Sequence, residues 1–201
     1  MAANKVTLNR SFPYIIGIAA LIGLVASLIL SYDTLSIARN PSYIPSCNLN
    51  PVISCGSVIN ATGDTIFGIP YPYYGIGAFA AMLSVAVMMF AGAKPNKYFW
   101  RAFMVIISAG LIGAYVLLGK SVFSIHALCP FCLSVDLVTT VSFWYSWLYV
   151  IDNKIISFER VKLQRIYGWI RKHHADLIVL WILLVVGFLL NHFWYYYGKH
   201  L

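Results

Sequence analysis

Charged side chains are scarce in this sequence of 201 residues. Only 10% of the residues are Asp, Glu, Lys or Arg, and only six are acidic. An average soluble domain carries about a quarter charged residues, so this chain has too little charge to cover a water-soluble globule. The mean hydropathy of +0.79 and the apolar fraction of 61% also exclude a disordered chain, a collagen and a coiled coil. The composition predicts a membrane protein.

Cysteine is also scarce, with four residues in the whole chain. This number is too small for a secreted scaffold that is held together by disulfides. The four cysteines form two local pairs, since Cys47 and Cys55 lie close in sequence and Cys129 and Cys132 form a C-x-x-C motif. These pairs are the most informative feature of the sequence.

Long apolar runs between the charged residues predict the helices. A membrane-spanning helix needs roughly 20 apolar residues. Backbone groups in lipid must be satisfied internally, and runs of this length indicate helices and not the strands of a barrel. Pro70 and Pro72 indicate that the second helix begins near Tyr73. We predict a single all-α membrane domain over 1–201, with transmembrane helices at about 12–32, 73–93, 101–119, 130–151 and 177–197.

Lysine and arginine are distributed unevenly between the predicted loops. An N-terminus in the cytoplasm places eleven of the fourteen basic residues on the cytoplasmic side, mostly in a basic loop over 152–175, and only Arg39, Lys120 and Lys199 on the other. The net charge of +8 is therefore explained by topology and contact with anionic membrane lipid, not by nucleic acid. The extracytoplasmic loop over 33–72 then carries the first cysteine pair, and all four cysteines face an oxidising compartment.

The two pairs differ in their local setting. Cys129-Pro130-Phe131-Cys132 opens the fourth helix, where free N–H groups and the helix dipole favour a thiolate. Taken alone, this motif also suits a static staple or half of a metal site, and the loop pair suits a structural disulfide. Two pairs on one face allow electrons to pass between them through mixed disulfides.

The cysteine motifs and their neighbours resemble the vitamin K epoxide reductase family. The resemblance rests on Ile53-Ser54-Cys55-Gly56-Ser57-Val58, on Ile66-Phe67-Gly68 before the second helix and on the C-x-x-C motif, and covers roughly Pro13 to Val150. It is strongest to bacterial members that have a fifth helix and no fused thioredoxin-like domain. The resemblance implies a four-helix bundle core around a quinone, plus a fifth transmembrane helix.

The family resemblance also implies an activity. Electrons would pass from the dithiol of a separate periplasmic, DsbA-like thioredoxin-fold partner through Cys47 and Cys55 to Cys129 and Cys132. A membrane quinone of the ubiquinone or menaquinone (vitamin K) type would then receive them. The protein would be a quinone-dependent dithiol oxidoreductase that supports disulfide bond formation at the bacterial inner membrane, with its active site in the periplasm.

The quinone contacts depart from the family pattern. Ala61 stands where the family usually has serine, and two aspartates, Asp64 and Asp136, replace an asparagine and a tyrosine. Asp136 lies one helical turn beyond Cys132 on the same face, so in protonated form it would hydrogen-bond a quinone oxygen. The alternative is an aspartate paired with a neighbouring helix or facing a water-filled cleft. The candidate quinone-binding residues are Asp136, Asp64, Tyr71, Phe67, Tyr74 and Phe131, and no metal ligand is predicted.

Other interpretations remain open at the level of sequence. One is a reductase of vitamin K quinone or epoxide itself. The disulfide bond formation protein B family performs the same reaction with four helices, but its C-x-x-C pair comes first in the chain and here it comes second. From another class, four thiolates would suit a structural zinc site. A static, disulfide-stapled membrane scaffold would show no turnover.

Overall fold

The chain folds almost entirely into helices. The computed structural model describes residues 2–61, 65–66, 68–93, 95–156 and 161–194. The helices are α1 (Ala2–Arg39), α2 (Cys55–Ala61), α3 (Tyr71–Phe90), α4 (Lys97–Lys120), α5 (Pro130–Asp152), α6 (Val161–Lys172) and α7 (His174–His192). A π-helical turn over Ser121–Ile125 continues α4. The strands that the described residues contain are β1 (Thr65–Ile66) and β2 (Ile69–Pro70), which form one antiparallel hairpin.

Five of these helices are long and apolar enough to cross a membrane. Within the described residues they are α1 from Arg10 onward, α3, α4 with its π-helical turn, α5 and α7. The predicted all-α membrane architecture with five spanning helices is therefore confirmed.

The first helix is longer than its apolar run. It continues through the acidic Asp33 to Arg39, so the loop begins at residue 40 and not at residue 33. A charged residue ends an apolar run without ending a helix, since the backbone hydrogen bonds continue beyond it. Asp33 is buried at this end of α1, where the Tyr43 hydroxyl donates a hydrogen bond of 3.0 Å to its carboxylate.

Helices α3 and α4, which are the predicted second and third transmembrane helices, also begin earlier than predicted. Helix α3 starts at Tyr71, directly after Pro70, with Pro72 in its first turn, where the missing N–H is tolerated. Helix α4 starts at Lys97 because the Asn96 side chain caps it, accepting a hydrogen bond of 2.8 Å from the Phe99 N–H.

Helix α1 is the centre of the bundle and packs along α3 and α5, while α4 packs on α5. Gly23 allows the close approach of α3, since a Cβ atom at this position would overlap the Phe79 ring. At the end of the bundle away from the cysteines, Phe12 stacks on Tyr149 with ring centroids 4.3 Å apart. This packing leaves the other ends of α1, α3, α4 and α5 facing a common space.

Candidate functional site

The first cysteine pair closes a short loop. Cys47 and Cys55 form a disulfide with their Cα atoms 5.7 Å apart. The Asn48 Oδ1 atom accepts hydrogen bonds from the Gly56 N–H at 2.8 Å and from the Ser54 hydroxyl at 3.1 Å. Asparagine favours such turns because its side chain replaces a backbone acceptor. The loop sequence therefore brings the two sulfur atoms together.

The second loop cysteine begins a helix. Ser54 accepts a hydrogen bond of 3.1 Å from the Ser57 N–H, which is the arrangement of an N-cap residue for α2. Gly56 leaves room for the neighbouring turn, because a Cβ atom there would lie 2.8 Å from the Asn48 amide nitrogen. Cys55 is fixed at the first position of α2 and is fully buried.

The C-x-x-C pair lies at the start of α5. Cys129 is the N-cap residue, and its sulfur accepts a hydrogen bond of 3.3 Å from the Cys132 N–H. The thiol of Cys132 also donates to this sulfur and lowers the pKa of Cys129, while burial of Cys129 opposes the change. A negative charge is favoured at a helix N-terminus, where backbone N–H groups are free. Cys129 is thus set up as the more readily ionised thiol of the pair.

A short parallel bridge joins the two cysteine segments. The Leu128 N–H donates to the Val52 carbonyl at 2.6 Å, and the Ser54 N–H donates to the Leu128 carbonyl at 3.0 Å. His126, with a φ of 58°, turns the chain out of the π-helical turn and into this bridge. Cys55 directly follows the bridged residues 52–54, and Cys129 directly follows Leu128. The bridge therefore places Cys55 beside Cys129.

The sulfur of Cys129 lies 3.3 Å from the sulfur of Cys55. The Cys129 thiol therefore contacts the loop disulfide directly, while Cys132 stays free as the second thiol of its pair. Both contacting sulfurs belong to residues that are buried among apolar neighbours, including Leu30, Val58 and Ala127. This arrangement allows thiol–disulfide exchange between the two pairs without a large movement of the chain.

A cavity of about 250 Å³ lies against the C-x-x-C pair. Its walls come from α1, α2, α3, α4 and α5 and are mainly apolar. Cys129 and Cys132 contribute their side chains to one side, and the buried Asp136 contributes an ionisable group deeper along α5. The cavity therefore combines an apolar surface with two thiols and one carboxyl group.

The structure separates the predicted quinone-binding residues. Asp136 and Tyr71 line the cavity, but Tyr74 and Phe131 are not among its lining residues. Gly75 takes the place on α3 that faces the cavity, and Phe131 packs on the cluster around the loop disulfide. Asp64 and Phe67 lie outside the described residues.

Two further residues near the cysteines were not among the predicted site residues. Asp33 is 2% exposed, and its Oδ2 atom lies 4.0 Å from the Cys47 sulfur, while Tyr43 is its hydrogen-bond donor. Asp33 could have been noticed in the sequence because it is one of only six acidic residues. It was instead interpreted as the end of the first helix, since it follows a long apolar run.

Comparison with known proteins gives one family. The family model described as "Vitamin K epoxide reductase family" matches residues 14–147, which include all four cysteines and span α1 to most of α5. Comparison with the curated proteins finds no match. Among the described residues, no group of three or more His, Cys, Asp or Glu side chains is arranged to hold a metal ion.

Proposed function

Because the chain belongs to the vitamin K epoxide reductase family, we propose that it passes electrons from a partner's dithiol through its two cysteine pairs to a membrane quinone. The family consists of membrane redox enzymes, so the protein is an integral membrane oxidoreductase. The electron path, the dithiol substrate and the partner are the parts that we propose.

The observation that carries the proposal is the contact of 3.3 Å between the sulfurs of Cys55 and Cys129. In the proposed transfer, the Cys55 thiolate attacks the Cys129 sulfur of a Cys129–Cys132 disulfide, and Cys132 leaves with the electron pair of that bond. Cys47 then attacks Cys55, which restores the loop disulfide and releases Cys129. The structure corresponds to the end of this sequence, with a loop disulfide and two thiols on α5.

The entry point for the partner is proposed to be Cys47. Cys47 is 7% exposed and Cys55 is fully buried, so an incoming thiolate reaches Cys47 more easily. Attack on Cys47 makes Cys55 the leaving thiolate, already beside Cys129. A thioredoxin-fold dithiol protein is the class of partner that the family suggests.

The cavity suits the ring of a quinone. Its volume of about 250 Å³ is slightly below the ~300–1,000 Å³ of typical small-molecule sites, which fits a ring better than a long isoprenoid tail. When bound, a quinone supplies the terminal two-electron acceptor. Cys129 and Cys132 both line the cavity, where Cys132 would pass the electrons to this acceptor, and the Asp136 carboxyl group would donate a hydrogen bond or a proton to its oxygen.

We also propose the cellular setting. The excess of Lys and Arg on one side supports a cytoplasmic N-terminus, with the four cysteines on the opposite face. The fifth helix and the resemblance support a bacterial inner membrane, where the site would face the oxidising periplasm.

The zinc alternative needs four free thiolates. Cys47 and Cys55 are joined in a disulfide, which removes two of the four possible ligands in this state. A thiol count together with metal analysis on the purified protein separates the two functions. One metal ion per chain and four thiols would contradict the electron relay.

The deciding experiment measures quinone reduction by the purified protein with a reduced thioredoxin-fold donor. We expect turnover in the wild type and its loss in Cys55→Ala and in Cys129→Ala, because each substitution interrupts the chain of sulfurs. Ser134→Ala is the matched control, since Ser134 lies on the first turns of α5 and, among the residues that the structure describes, hydrogen-bonds to the Pro130 carbonyl alone. Full turnover in Cys129→Ala would contradict the proposed path.

Asp136→Asn tests the role of the buried carboxyl group. We expect quinone reduction to fall by about 10²-fold, the lower end of general acid catalysis, because asparagine donates no proton. Exchange between the partner and the loop disulfide should be unchanged, which alkylation and gel shift would show. The exposed Asp176→Asn serves as the control, and an unchanged quinone rate in Asp136→Asn would remove its role.

A further inference from the structure

A buried carboxylate faces the loop disulfide from the end of α1. Asp33 is 2% exposed, its Oδ1 atom accepts a hydrogen bond of 3.0 Å from the Tyr43 hydroxyl, and its Oδ2 atom lies 4.0 Å from the Cys47 sulfur. Burial of a carboxylate is costly, so its place beside a reactive sulfur calls for an explanation. The relay described above gives this group no task.

Few groups near Cys47 other than Asp33 could accept the proton of its thiol. Its apolar neighbours are Leu30, Val58 and Ala127. In the described part of the chain, the titratable groups around Cys47 and Asp33 are Cys55, Cys129, Cys132, Tyr43 and, beside Tyr43, Tyr32 on α1. The three cysteines are the exchanging sulfurs themselves.

Tyr43 cannot take this proton at neutral pH. The hydrogen bond that Tyr43 donates to Asp33 raises the pKa of its hydroxyl above the ordinary value. Tyr43 therefore stays a donor, and Asp33 is the acceptor of the pair.

We propose that Asp33 is the proton acceptor for the Cys47 thiol in the step that closes the loop disulfide. The inference rests on the proposed function. In this step Asp33 takes the proton of Cys47, and the resulting thiolate attacks the Cys55 sulfur of a Cys55–Cys129 mixed disulfide. The Cys47–Cys55 bond forms, the Cys55–Cys129 bond breaks, and Cys129 leaves as a thiolate that the Cys132 N–H stabilises. Asp33 then releases its proton to water.

Two opposite effects act on the rate, and their magnitudes decide the result. The negative charge of Asp33 disfavours the Cys47 thiolate, and a like charge at this distance costs about one pKa unit, or tenfold in thiolate. A positioned proton acceptor contributes about 10²–10⁴-fold. We therefore expect loss of the carboxylate to slow the step by at least about tenfold at neutral pH.

The first experiment measures the Cys47 thiol without partner or quinone. In a Cys55→Ser background of the full chain, Cys47 is a free thiol, and its alkylation by iodoacetamide is followed by mass spectrometry against pH. Adding Asp33→Asn should move the midpoint of the profile about one pH unit lower, because a like charge has been removed. Adding Asp176→Asn should leave the profile unchanged. An unshifted profile for Asp33→Asn would overturn the proposal.

The second experiment measures turnover against pH in Asp33→Asn with all four cysteines present. We expect quinone reduction at least about tenfold slower near pH 7, with the difference lost above about pH 9.5, where the thiol ionises unaided. A merely structural defect would lower the rate equally at every pH, and this result would refute the proton-acceptor role. Thermal unfolding and the disulfide content of both variants check that the loop has formed.

The two proposals fail in different ways. Absence of quinone reduction in the wild-type chain would refute the proposed function, and with it the step assigned to Asp33. Normal wild-type turnover with no loss in Asp33→Asn near pH 7 would refute only the role of Asp33.

Discussion

At the scale of single residues, the reactivity of the site depends on hydrogen bonds to sulfur. Cys129 receives two from Cys132, one from its thiol and one from its backbone N–H, and the pKa of Cys129 is lowered in consequence. A lower pKa increases the fraction of thiolate, which is both the nucleophile and the better leaving group in exchange. The C-x-x-C spacing therefore lowers the pKa of Cys129, which a thiol far from Cys129 would not do.

Cys132→Ala tests this effect. We expect the pKa of Cys129 to rise, since the thiol donor that lowers it is removed, so the alkylation profile of Cys129 should move to higher pH. The loop disulfide does not titrate, and mass spectrometry identifies the modified cysteine. Ser134→Ala should leave the profile in place. A profile that moves to lower pH in Cys132→Ala would contradict the stated cause.

Two asparagine side chains hold the loop, since Asn50 accepts from the Val52 and Ile53 N–H groups and Asn48 accepts next to Cys55. Asn48→Ala removes the acceptor for the Gly56 N–H and the Ser54 hydroxyl. We expect a loss of about 1–3 kcal/mol in the free energy of unfolding, the cost of leaving a buried donor unpaired. Reduction of the loop disulfide by dithiothreitol should also become faster.

The matched control for this prediction is Asn96→Ala, which removes the cap of α4 at the far end of the bundle. It should cost about 1 kcal/mol of stability and leave the reduction rate of the disulfide unchanged. Equal reduction rates in Asn48→Ala and the wild type would show that Asn48 does not hold the loop.

At the scale of elements, the bridge between the loop and the start of α5 sets the distance between the cysteine pairs. It consists of two backbone hydrogen bonds that join residues 52–54 to Leu128. Backbone bonds depend little on side-chain identity, so no residue type in the sequence marks this contact. The local caps of α2 and α5 then orient the two sulfurs that the bridge brings together.

Leu128→Pro tests the bridge, because proline cannot donate to the Val52 carbonyl. In a Cys47→Ala, Cys132→Ala background, mild oxidation should join Cys55 to Cys129 readily, and adding Leu128→Pro should slow this cross-link by about tenfold or more, a loss of about 1.4 kcal/mol or more. Leu128→Ala keeps the N–H and should cross-link at the original rate. Equally fast cross-linking in the proline variant would refute a role for the bridge.

At the scale of the whole molecule, the bundle gathers the redox groups at one end. Of the eight basic residues whose side chains the structure describes, six lie at the other end, namely Arg10, Lys97, Arg101, Lys154, Arg171 and Lys172. The spanning part of α7 is largely exposed. Leu189 of α7 and Phe193, which follows the helix, belong to a buried cluster with Val52 and Val122. The family match ends within α5, so the site is built from the matched part of the chain. Helix α7, the fifth membrane-spanning helix, therefore packs beside the site without contributing a cysteine to it.

Cysteine labelling tests the proposed orientation. Ser42→Cys introduces an exposed thiol in the loop, and Asp176→Cys introduces one at the start of α7. In intact bacteria, a membrane-impermeant maleimide should label Ser42→Cys at once and Asp176→Cys only after permeabilisation, because basic loops stay in the cytoplasm. The reverse pattern would place the cysteine pairs in the cytoplasm and contradict the oxidising function.

The membrane environment, the number of spanning helices and the local character of each cysteine pair follow from the amino-acid sequence alone. These properties depend on composition, on the length of apolar runs and on capping residues within a few positions of each other, all of which are local. The last residue of α1 and the first residue of α3 were less predictable. A charged residue such as Asp33 ends an apolar run but not a helix, and a helix can start directly after a proline such as Pro70.

The packing of the helices establishes which sulfurs meet and which residues surround them. Cys55 and Cys129 are 74 positions apart, and their contact depends on backbone bonds that carry no sequence signal. The same packing brings Asp33 to Cys47 and selects Tyr71 over Tyr74 as a wall of the cavity. Distant contacts follow from how helices pack against one another, and that packing is a property of all the interfaces together.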